Sequence, residues 1–194
     1  MARLKVGLLG GSFNPAHEGH LHISLLALKK LRLDQIWWLV SPQNPLKPTQ
    51  GMAPLTKRLA SARAMARHPA IYASDLESRL GTRYTADTLA ALKKRWPQNS
   101  FVWLMGADNL VQLPRWRRWR DIVETMPIAI FNREGEGHRA LAGAAAARYA
   151  QHRVLRPAAL ADTRAPAWCF LFTSLHSASS TAIRAADTDT RKEA

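Results

Sequence analysis

The chain has 194 residues, a length that favours one domain with a substantial core. Its 47% hydrophobic content excludes a disordered chain, and no apolar stretch is long enough to cross a membrane. The apolar segment before the first glycines is too short for a signal peptide, so we expect a cytoplasmic location. We expect a single domain over residues 1–186 and a frayed tail over residues 187–194.

The composition is strongly basic, because 28 Lys and Arg residues against 14 Asp and Glu residues give a formal net charge of +14. Such a charge is typical of nucleic-acid-binding proteins. Here, however, the basic residues are scattered, without a run of five or more, which argues against nucleic acid as the main ligand. Small polyanions such as nucleotides would account for part of the excess.

Predicted strands and helices alternate along the chain. Short apolar runs predict strands at 4–9, 35–41, 70–75, 100–105, 127–131 and 168–172. Apolar spacing and capping residues predict helices at 21–31, 56–67, 85–93, 107–113, 116–125, 140–149 and 180–186. The alternation predicts the α/β class, with a parallel sheet covered by helices on both faces. We expect the alanine-rich helix at 140–149 to pack loosely, and the single cysteine, Cys169, to be a buried thiol in a reducing compartment.

The most informative stretch joins the first predicted strand to the first helix and has the sequence GGSFNPAHEGH over residues 10–20. Gly10 and Gly11 allow the backbone to approach a ligand closely, because no Cβ atom lies in the way. His17 and His20 are three residues apart, so both would project from one face of the first helical turn. Helix N-terminal N–H groups beside two imidazoles predict a site for the phosphates of a nucleotide.

This stretch resembles the GGT/SFDPxHxGH motif of the nucleotidyltransferase superfamily, whose HxGH element lies against the reacting phosphates. Ser12, Asn14 and Ala16 depart from its commonest form, and Asn14 lacks the negative charge of an aspartate. The resemblance implies a Rossmann-like doubly wound parallel sheet of the nucleotidyltransferase type, with His17 and His20 as catalytic residues. The ATP contacts that it implies in this stretch are Gly10, Gly11, Ser12, Phe13, His17 and His20.

Residues 106–119, GADNLVQLPRWRRW, follow the end of a predicted strand. From spacing alone they fit a turn glycine, a capping Asp108 and two core tryptophans. They also resemble the GADxLxxLxxWxxW motif of bacterial nicotinate mononucleotide adenylyltransferases, in which the first tryptophan stacks on the pyridine ring. The resemblance implies that Trp116 binds the mononucleotide and that Gly106 and Asp108 contact ATP, with the Asp108 carboxylate suited to a ribose hydroxyl pair. Trp119 is interpreted as structural.

Residues 83–89, RYTADTL, resemble the S-Y-T-x-x-T-L segment of the same family, with Arg83 in place of the small residue. A loop and a helix cap would also explain this segment, and Thr88 is assigned only that role. The resemblance implies that backbone N–H groups around Tyr84 and Thr85 hold the pyridine carboxylate. Charge-assisted hydrogen bonds of this kind would favour nicotinate over the neutral amide.

Residues 176–184, HSASSTAIR, match the superfamily's closing ISSTxIR motif except at Ala178. Two serines and a threonine at a helix start, with a basic residue one turn later, fit either a helix cap or a terminal-phosphate site. The resemblance implies ATP contacts from Ser179, Ser180, Thr181 and Arg184. It also implies that Lys47, in the loop after the second strand, is a catalytic cation for the α- or β-phosphate. The implied mononucleotide contacts are Ser12, Asn44, Lys47, Tyr84, Thr85 and Trp116.

The resemblance to bacterial nicotinate mononucleotide adenylyltransferases implies one reaction, in which ATP and nicotinate mononucleotide give nicotinate adenine dinucleotide and pyrophosphate for NAD biosynthesis. It implies Mg²⁺ carried on ATP and no metal site on the protein. Two other acceptors stay open: nicotinamide mononucleotide, and phosphopantetheine, against which residues 106–119 argue. A basic RNA-binding module on an inactive nucleotide fold is a third alternative. We expect no membrane partner, and the oligomeric state, including a homo-oligomer, stays open.

Two other kinds of site fit the sequence poorly. Zinc needs three or four ligands, whereas His17 and His20 have no HExxH pattern around them and His22 would lie on another helical face. A dehydrogenase loop needs GxGxxG, which the Gly-Gly-Ser-Phe sequence at residues 10–13 does not provide. The sequence therefore favours a phosphate site over both.

Overall fold

The computed structural model describes residues 3–42, 51–132 and 135–173. Within them, one sheet contains β1 (Lys5–Gly11), β2 (Gln35–Val40), β3 (Ile71–Ser74), β4 (Ser100–Gly106), β5 (Ile128–Phe131) and β6 (Trp168–Leu171). The strand order is β3-β2-β1-β4-β5-β6, and every neighbouring pair is parallel. The order changes direction between β1 and β4. Open α/β sheets bind ligands at such a point, beyond the carboxyl ends of the strands.

The helices of the described residues cover both faces of this sheet. They are α1 (Glu18–Leu31), α2 (Leu55–Met65), α3 (Leu76–Arg79), α4 (Thr85–Arg95), α5 (Ala107–Gln112), α6 (Trp119–Thr125), α7 (Gly137–Leu141) and α8 (Ala144–Arg148). Short 3₁₀ turns span Leu113–Arg115, Ala150–His152 and Pro157–Asp162. In the part of the chain described, none of the helices has the length and apolar character needed to cross a membrane.

Alternating side chains of the strands build two hydrophobic clusters, one on each face. On β4, Trp103 packs with the cluster that includes α4 to α8, whereas Val102 and Leu104 pack with the cluster that includes α1 and α2. The doubly wound α/β prediction is therefore confirmed. Cys169 is 1% exposed, so its predicted burial is also confirmed, and this burial raises the pKa of the thiol to about 12. The reducing compartment stays a prediction.

The boundaries of the first two elements differ from those predicted. β1 extends through Gly10 and Gly11, because both glycines pair with the end of β2. α1 begins three residues before the predicted start, because His17 caps it and brings Glu18 to His20 into the first turn. The glycine pair at the end of β1 and the N-terminus of α1, which were both predicted to bind phosphate, are therefore joined by only six residues, 12–17.

Two helix predictions around the tryptophan pair and the alanine-rich segment are wrong. The helix predicted from Trp116 begins only at Trp119, since Trp116 has an extended backbone and Arg118 a left-handed one, with φ 54°. The single helix predicted at 140–149 is divided at Gly143 into α7 and α8. It does not pack loosely, because three of its alanines and Tyr149 are buried in the core. The predicted helix at 180–186 and the tail at 187–194 lie outside the described residues.

Candidate active site

A cavity of about 350 Å³ lies over the carboxyl ends of β1, β2 and β4. It brings together seven residues that the sequence motifs indicated, namely Gly10, Gly11, Ser12, Tyr84, Thr85, Asp108 and Trp116. Gly10 has no room for a side chain, because a Cβ atom there would lie 2.4 Å from Cη2 of Trp103. Gly106 is buried at the end of β4 and caps α5, two residues before Asp108, the other predicted ATP contact of this segment.

His17 and His20 form a reciprocal cap at the start of α1. Nδ1 of His17 accepts a hydrogen bond from the Gly19 N–H at 3.1 Å, and Nδ1 of His20 accepts from the His17 N–H at 3.2 Å. Because each Nδ1 atom is an acceptor, each neutral ring carries its proton on Nε2. The helix cap therefore selects the tautomer in which Nε2–H is a donor.

The same two rings lie close together, beside the cavity rather than among the residues that line it. Their centroids are 3.9 Å apart, His17 is 5% exposed and His20 is half-buried. Phe13 packs on His20, with ring centroids 4.6 Å apart, and stacks on Trp38 at 5.1 Å. Since the Phe13 ring is buried, its predicted contact with ATP would have to come from the backbone.

Hydrogen bonds hold this aromatic group in place. The Trp38 indole N–H donates to the Ser24 hydroxyl at 2.8 Å, and that hydroxyl donates to the His20 carbonyl at 2.8 Å. Asn14, where the commonest motif has aspartate, joins two segments: its amide donates to the Gly51 carbonyl at 3.1 Å and its Oδ1 atom accepts from the Ala53 N–H at 3.2 Å. In this structure Asn14 therefore connects the opening loop to the chain before α2.

A buried arginine on α2, which the sequence motifs do not include, ties the loops around the cavity together. Arg58 is 2% exposed and donates to the carbonyls of Ser12 at 2.6 Å, Ser41 at 2.7 Å, Pro42 at 2.9 Å and Ala53 at 2.8 Å. Burial lowers the pKa of the guanidinium. On sequence alone this arginine resembles the solvent-exposed basic residues of the same helix, so no local pattern identifies it.

The start of α4 forms a cationic end of the cavity. The first-turn N–H groups at Thr85 and Ala86 have no acceptor within the helix, as at any helix N-terminus. The guanidinium carbon of Arg117 lies 4.5 Å from the Tyr84 ring centroid, and that of Arg83 lies 5.9 Å from it. Both arginines line the cavity, which therefore presents backbone donors and positive charge to an anionic ligand.

The two tryptophans of the 106–119 motif have different surroundings. Trp116 lines the cavity, whereas Trp119 packs edge-on against Tyr149, with ring centroids 6.0 Å apart. Trp119 therefore lies where a structural residue is expected. Thr88 does not cap α4 as predicted: it is buried inside the helix, where its hydroxyl pairs with that of Thr82 at 2.8 Å, and the cap residue is Tyr84.

A second buried charged residue that sequence reasoning missed is Glu77, on the single-turn helix α3. It lines the cavity and is 6% exposed. Burial raises the pKa of its carboxyl group to about 7, and a hydrogen bond from the Ser41 side chain opposes that shift. The sequence does not predict α3, because four residues show no helical period.

Six predicted site residues belong to segments that the structure does not describe. Asn44, Lys47, Ser179, Ser180, Thr181 and Arg184 lie outside the described residues. Among the residues that are described, no group of three or more His, Cys, Asp or Glu side chains could hold a metal ion.

Sequence comparison relates this chain to a family model and to proteins named as adenylyltransferases. Residues 8–186 match the cytidylyltransferase-like family model. A protein of Cereibacter sphaeroides named "Probable nicotinate-nucleotide adenylyltransferase" is 58% identical over 180 residues, covering 93% of this chain and 96% of its own. A protein of Parvibaculum lavamentivorans with the same name is 70% identical over 132 residues, covering 68% of this chain and 66% of its own.

Solved structures share the fold at low sequence identity. The nicotinic acid mononucleotide adenylyltransferase of Plasmodium falciparum, complexed with NaAD, has a TM-score of 0.72 at 17% identity. The alignment covers 94% of this chain and 83% of that one. The same enzyme complexed with APC has a TM-score of 0.70 at 16% identity, with the same coverage.

Proposed function

This chain belongs to the cytidylyltransferase-like family and, within it, to the nicotinate-nucleotide adenylyltransferases, and we therefore propose that it transfers the adenylyl group of ATP to nicotinate mononucleotide. The products are nicotinate adenine dinucleotide and pyrophosphate, in NAD biosynthesis. The observation that carries this function is the single cavity in which Gly10 and Gly11 of the phosphate loop, Trp116 and the start of α4 meet.

The chemistry needs two bound nucleotides and no covalent enzyme intermediate. A 5′-phosphate oxygen of the mononucleotide attacks the α-phosphorus of ATP, a new P–O bond forms, and the bond to the β-phosphate bridging oxygen breaks. Pyrophosphate leaves with the electron pair. Reactions of this kind depend mainly on positioning and charge stabilisation, and orienting two reactants contributes up to about 7–11 kcal/mol.

We assign the charge stabilisation to His17 and His20. The cap hydrogen bonds hold the proton of each neutral ring on Nε2, so each ring would donate a hydrogen bond to the α- or β-phosphate as negative charge moves to pyrophosphate. Lys47 and Arg184 would neutralise further charge, and Ser179, Ser180 and Thr181 would hold the outer phosphates. These five assignments rest on the sequence motifs alone.

We propose that ATP enters as its Mg²⁺ complex, with the ion held by phosphate oxygens. Among the described residues that line the cavity, the three arginines can bind phosphate, and the two carboxylates, Glu77 and Asp108, would leave most of the ion's ligands to phosphate oxygens and water. Mg²⁺ would neutralise part of the triphosphate charge, while the residues of the chain position the two nucleotides.

At the other end of the cavity we propose that the N–H groups at the start of α4 hold the nicotinate carboxylate, with Trp116 against the pyridine ring. Arg83 and Arg117 add positive charge there. A neutral carboxamide would lose the charge-assisted hydrogen bonds, so this arrangement supports nicotinate mononucleotide as the preferred acceptor.

Pyrophosphate release from Mg-ATP with each candidate acceptor tests the function. We expect rapid release with nicotinate mononucleotide, slower release with nicotinamide mononucleotide and none with phosphopantetheine. Equal rates with the two mononucleotides would contradict the selectivity. No release with any acceptor, together with tight RNA binding that weakens steeply with salt, would favour the RNA-binding alternative.

A further inference from the structure

Glu77 is a buried carboxyl group at the cavity that the mechanism above does not use. It is 6% exposed, and its carboxyl group accepts a hydrogen bond from the Ser41 side chain. The Oε2 atom is buried, and among the described residues it has no hydrogen-bond partner. Leaving a buried acceptor without a donor is destabilising, so an acceptor kept at a ligand cavity points to a donor that the ligand supplies.

The same cavity is lined by a buried hydrogen-bond donor that also lacks a partner in the described part of the chain. Nε1 of Trp103, on β4, is buried and has no hydrogen-bond partner among the described residues. Glu77 and Trp103 together offer one acceptor and one donor to a ligand. Carboxylate and phosphate groups only accept hydrogen bonds, whereas a hydroxyl group both donates and accepts. Oε2 of Glu77 needs a donor, which a hydroxyl group of a ligand supplies and a carboxylate or phosphate group does not.

The position of α3 indicates which nucleotide carries that hydroxyl. The Glu77 carbonyl accepts from the Thr82 N–H at 3.0 Å, and the Thr82 hydroxyl pairs with that of Thr88 on α4 at 2.8 Å. The backbone of Glu77 is thus connected to the start of α4, and Glu77 lines the same cavity as Tyr84 and Thr85. Resting on the function proposed above, this is the mononucleotide end, so we propose that Oε2 of Glu77 accepts a hydrogen bond from a ribose hydroxyl of nicotinate mononucleotide.

Replacing Glu77 by Met tests the contact, because Met fills a similar volume without an acceptor. We expect the Glu77→Met variant to bind nicotinate mononucleotide about tenfold or more weakly by calorimetry, as the loss of a hydrogen bond to a charged group implies. Its affinity for a non-hydrolysable ATP analogue should be unchanged, and its melting temperature equal or higher, because a buried charge is removed. Equal weakening for both nucleotides would overturn the proposal.

Deoxy analogues identify the partner of Glu77 directly. Nicotinate mononucleotides lacking the 2′- or the 3′-hydroxyl are titrated into the wild type and into Glu77→Met. For the hydroxyl that Glu77 binds, we expect the analogue to bind weakly to the wild type and no worse than the natural ligand to the variant. If, for both analogues, the loss of affinity from the missing hydroxyl multiplies with the loss from the substitution, Glu77 contacts neither hydroxyl and the proposal is wrong.

Proton exchange on binding gives a separate measurement of the Glu77 contact. The other charged or titratable side chains that line the cavity in the described residues are Arg83, Tyr84, Asp108, Arg115 and Arg117, and β2, which packs against α3, has none. Because the pKa of Glu77 is raised to about 7, part of the carboxyl group is protonated at neutral pH. A hydroxyl that donates to Oε2 stabilises the charged form.

We therefore expect the binding of nicotinate mononucleotide near pH 7 to release protons, measured by calorimetry in buffers of different ionisation enthalpy, and Glu77→Met to release fewer. Proton uptake that depends on Glu77 would instead mean that a protonated Glu77 donates to the nicotinate carboxylate, which would overturn the ribose assignment. These results are separate from the proposed function: if the wild type forms no dinucleotide, that function fails, whereas normal turnover with unchanged binding by Glu77→Met refutes only the role of Glu77.

Discussion

At the scale of single residues, the proposed function gives His17 and His20 two roles each, on different atoms. The Nδ1 atoms complete the helix cap, and each neutral ring carries its proton on Nε2, the atom that we propose donates a hydrogen bond to a phosphate. Capping and charge stabilisation are therefore linked, because a ring that lost its cap bond would no longer have a fixed tautomer. This link predicts that substitutions can separate the two roles.

We expect His20→Ala to lower kcat by about tenfold or more, equivalent to about 1.4 kcal/mol, with a smaller change in KM. It should also lower the melting temperature, since the cap bond from the His17 N–H is lost. His20→Asn is the matched control, because its Oδ1 atom can accept that bond while no group replaces Nε2. We expect His20→Asn to recover the stability and not the turnover. Near-normal kcat in either variant would remove His20 from the mechanism.

The tryptophan pair gives a second prediction at this scale. Trp116 lines the cavity and Trp119 packs on Tyr149, so alanine substitutions should have different effects. We expect Trp116→Ala to weaken nicotinate mononucleotide binding while ATP affinity and melting temperature hold. Trp119→Ala should lower the melting temperature, because it removes a partly buried aromatic contact with the buried Tyr149. A loss of affinity for both substrates in Trp116→Ala would mean that this tryptophan is structural.

At the scale of elements, Arg58 joins three parts of the fold that meet at the site. From α2 it reaches the loop after β1, the end of β2 and the chain before α2, in each case through a backbone carbonyl. Its planar group has enough N–H donors for all four acceptors, whereas an ammonium has three and cannot span the same width. Arg58 is therefore a positioning residue for the phosphate loop.

We expect Arg58→Lys to fold, to melt at a lower temperature and to turn over more slowly, because at least one buried carbonyl loses its donor, at a cost of about 1–3 kcal/mol. Arg58→Met should be less stable still, since all four carbonyl groups lose their hydrogen-bond donor. Lys57→Met, at an exposed position on the same helix, is the control and should melt like the wild type. Thermal melts and kcat measured on the same samples check this, and an unchanged Arg58→Met would contradict it.

The elements also differ in how far the sequence could predict them. The six strands of the described residues were all predicted, because most of them are continuous apolar runs covered on both faces, as in 101–105. The family resemblance of their motifs placed Gly10, Tyr84 and Trp116 at one site, and the structure brings all three to one cavity. Glu77 and Arg58 could not be predicted, because their burial depends on contacts between distant segments. The split of the 140–149 helix was missed because alanine favours a helix and Gly143 alone decides the break.

At the scale of the whole molecule, the basic residues that give the net charge of +14 lie at very different distances from the site. Arg83, Arg115 and Arg117 line the cavity, whereas Lys94 and Arg95 lie at the opposite end of α4, about 16 Å away for an 11-residue helix. Both substrates are anions. Charges at the cavity should therefore speed substrate capture, and those at the far end should contribute only a weak, screened field.

We expect Arg83→Gln to lower kcat/KM for nicotinate mononucleotide several-fold and to make it less sensitive to salt between about 50 and 200 mM NaCl, a range over which the Debye length falls from above to below about 10 Å. Lys94→Gln removes the same charge from the other end of the same helix and should leave both quantities unchanged. Steady-state kinetics across the salt series separates the two variants. If both lowered kcat/KM equally, net charge rather than its placement would govern capture, and the cationic end of the cavity would have no part in choosing a carboxylate.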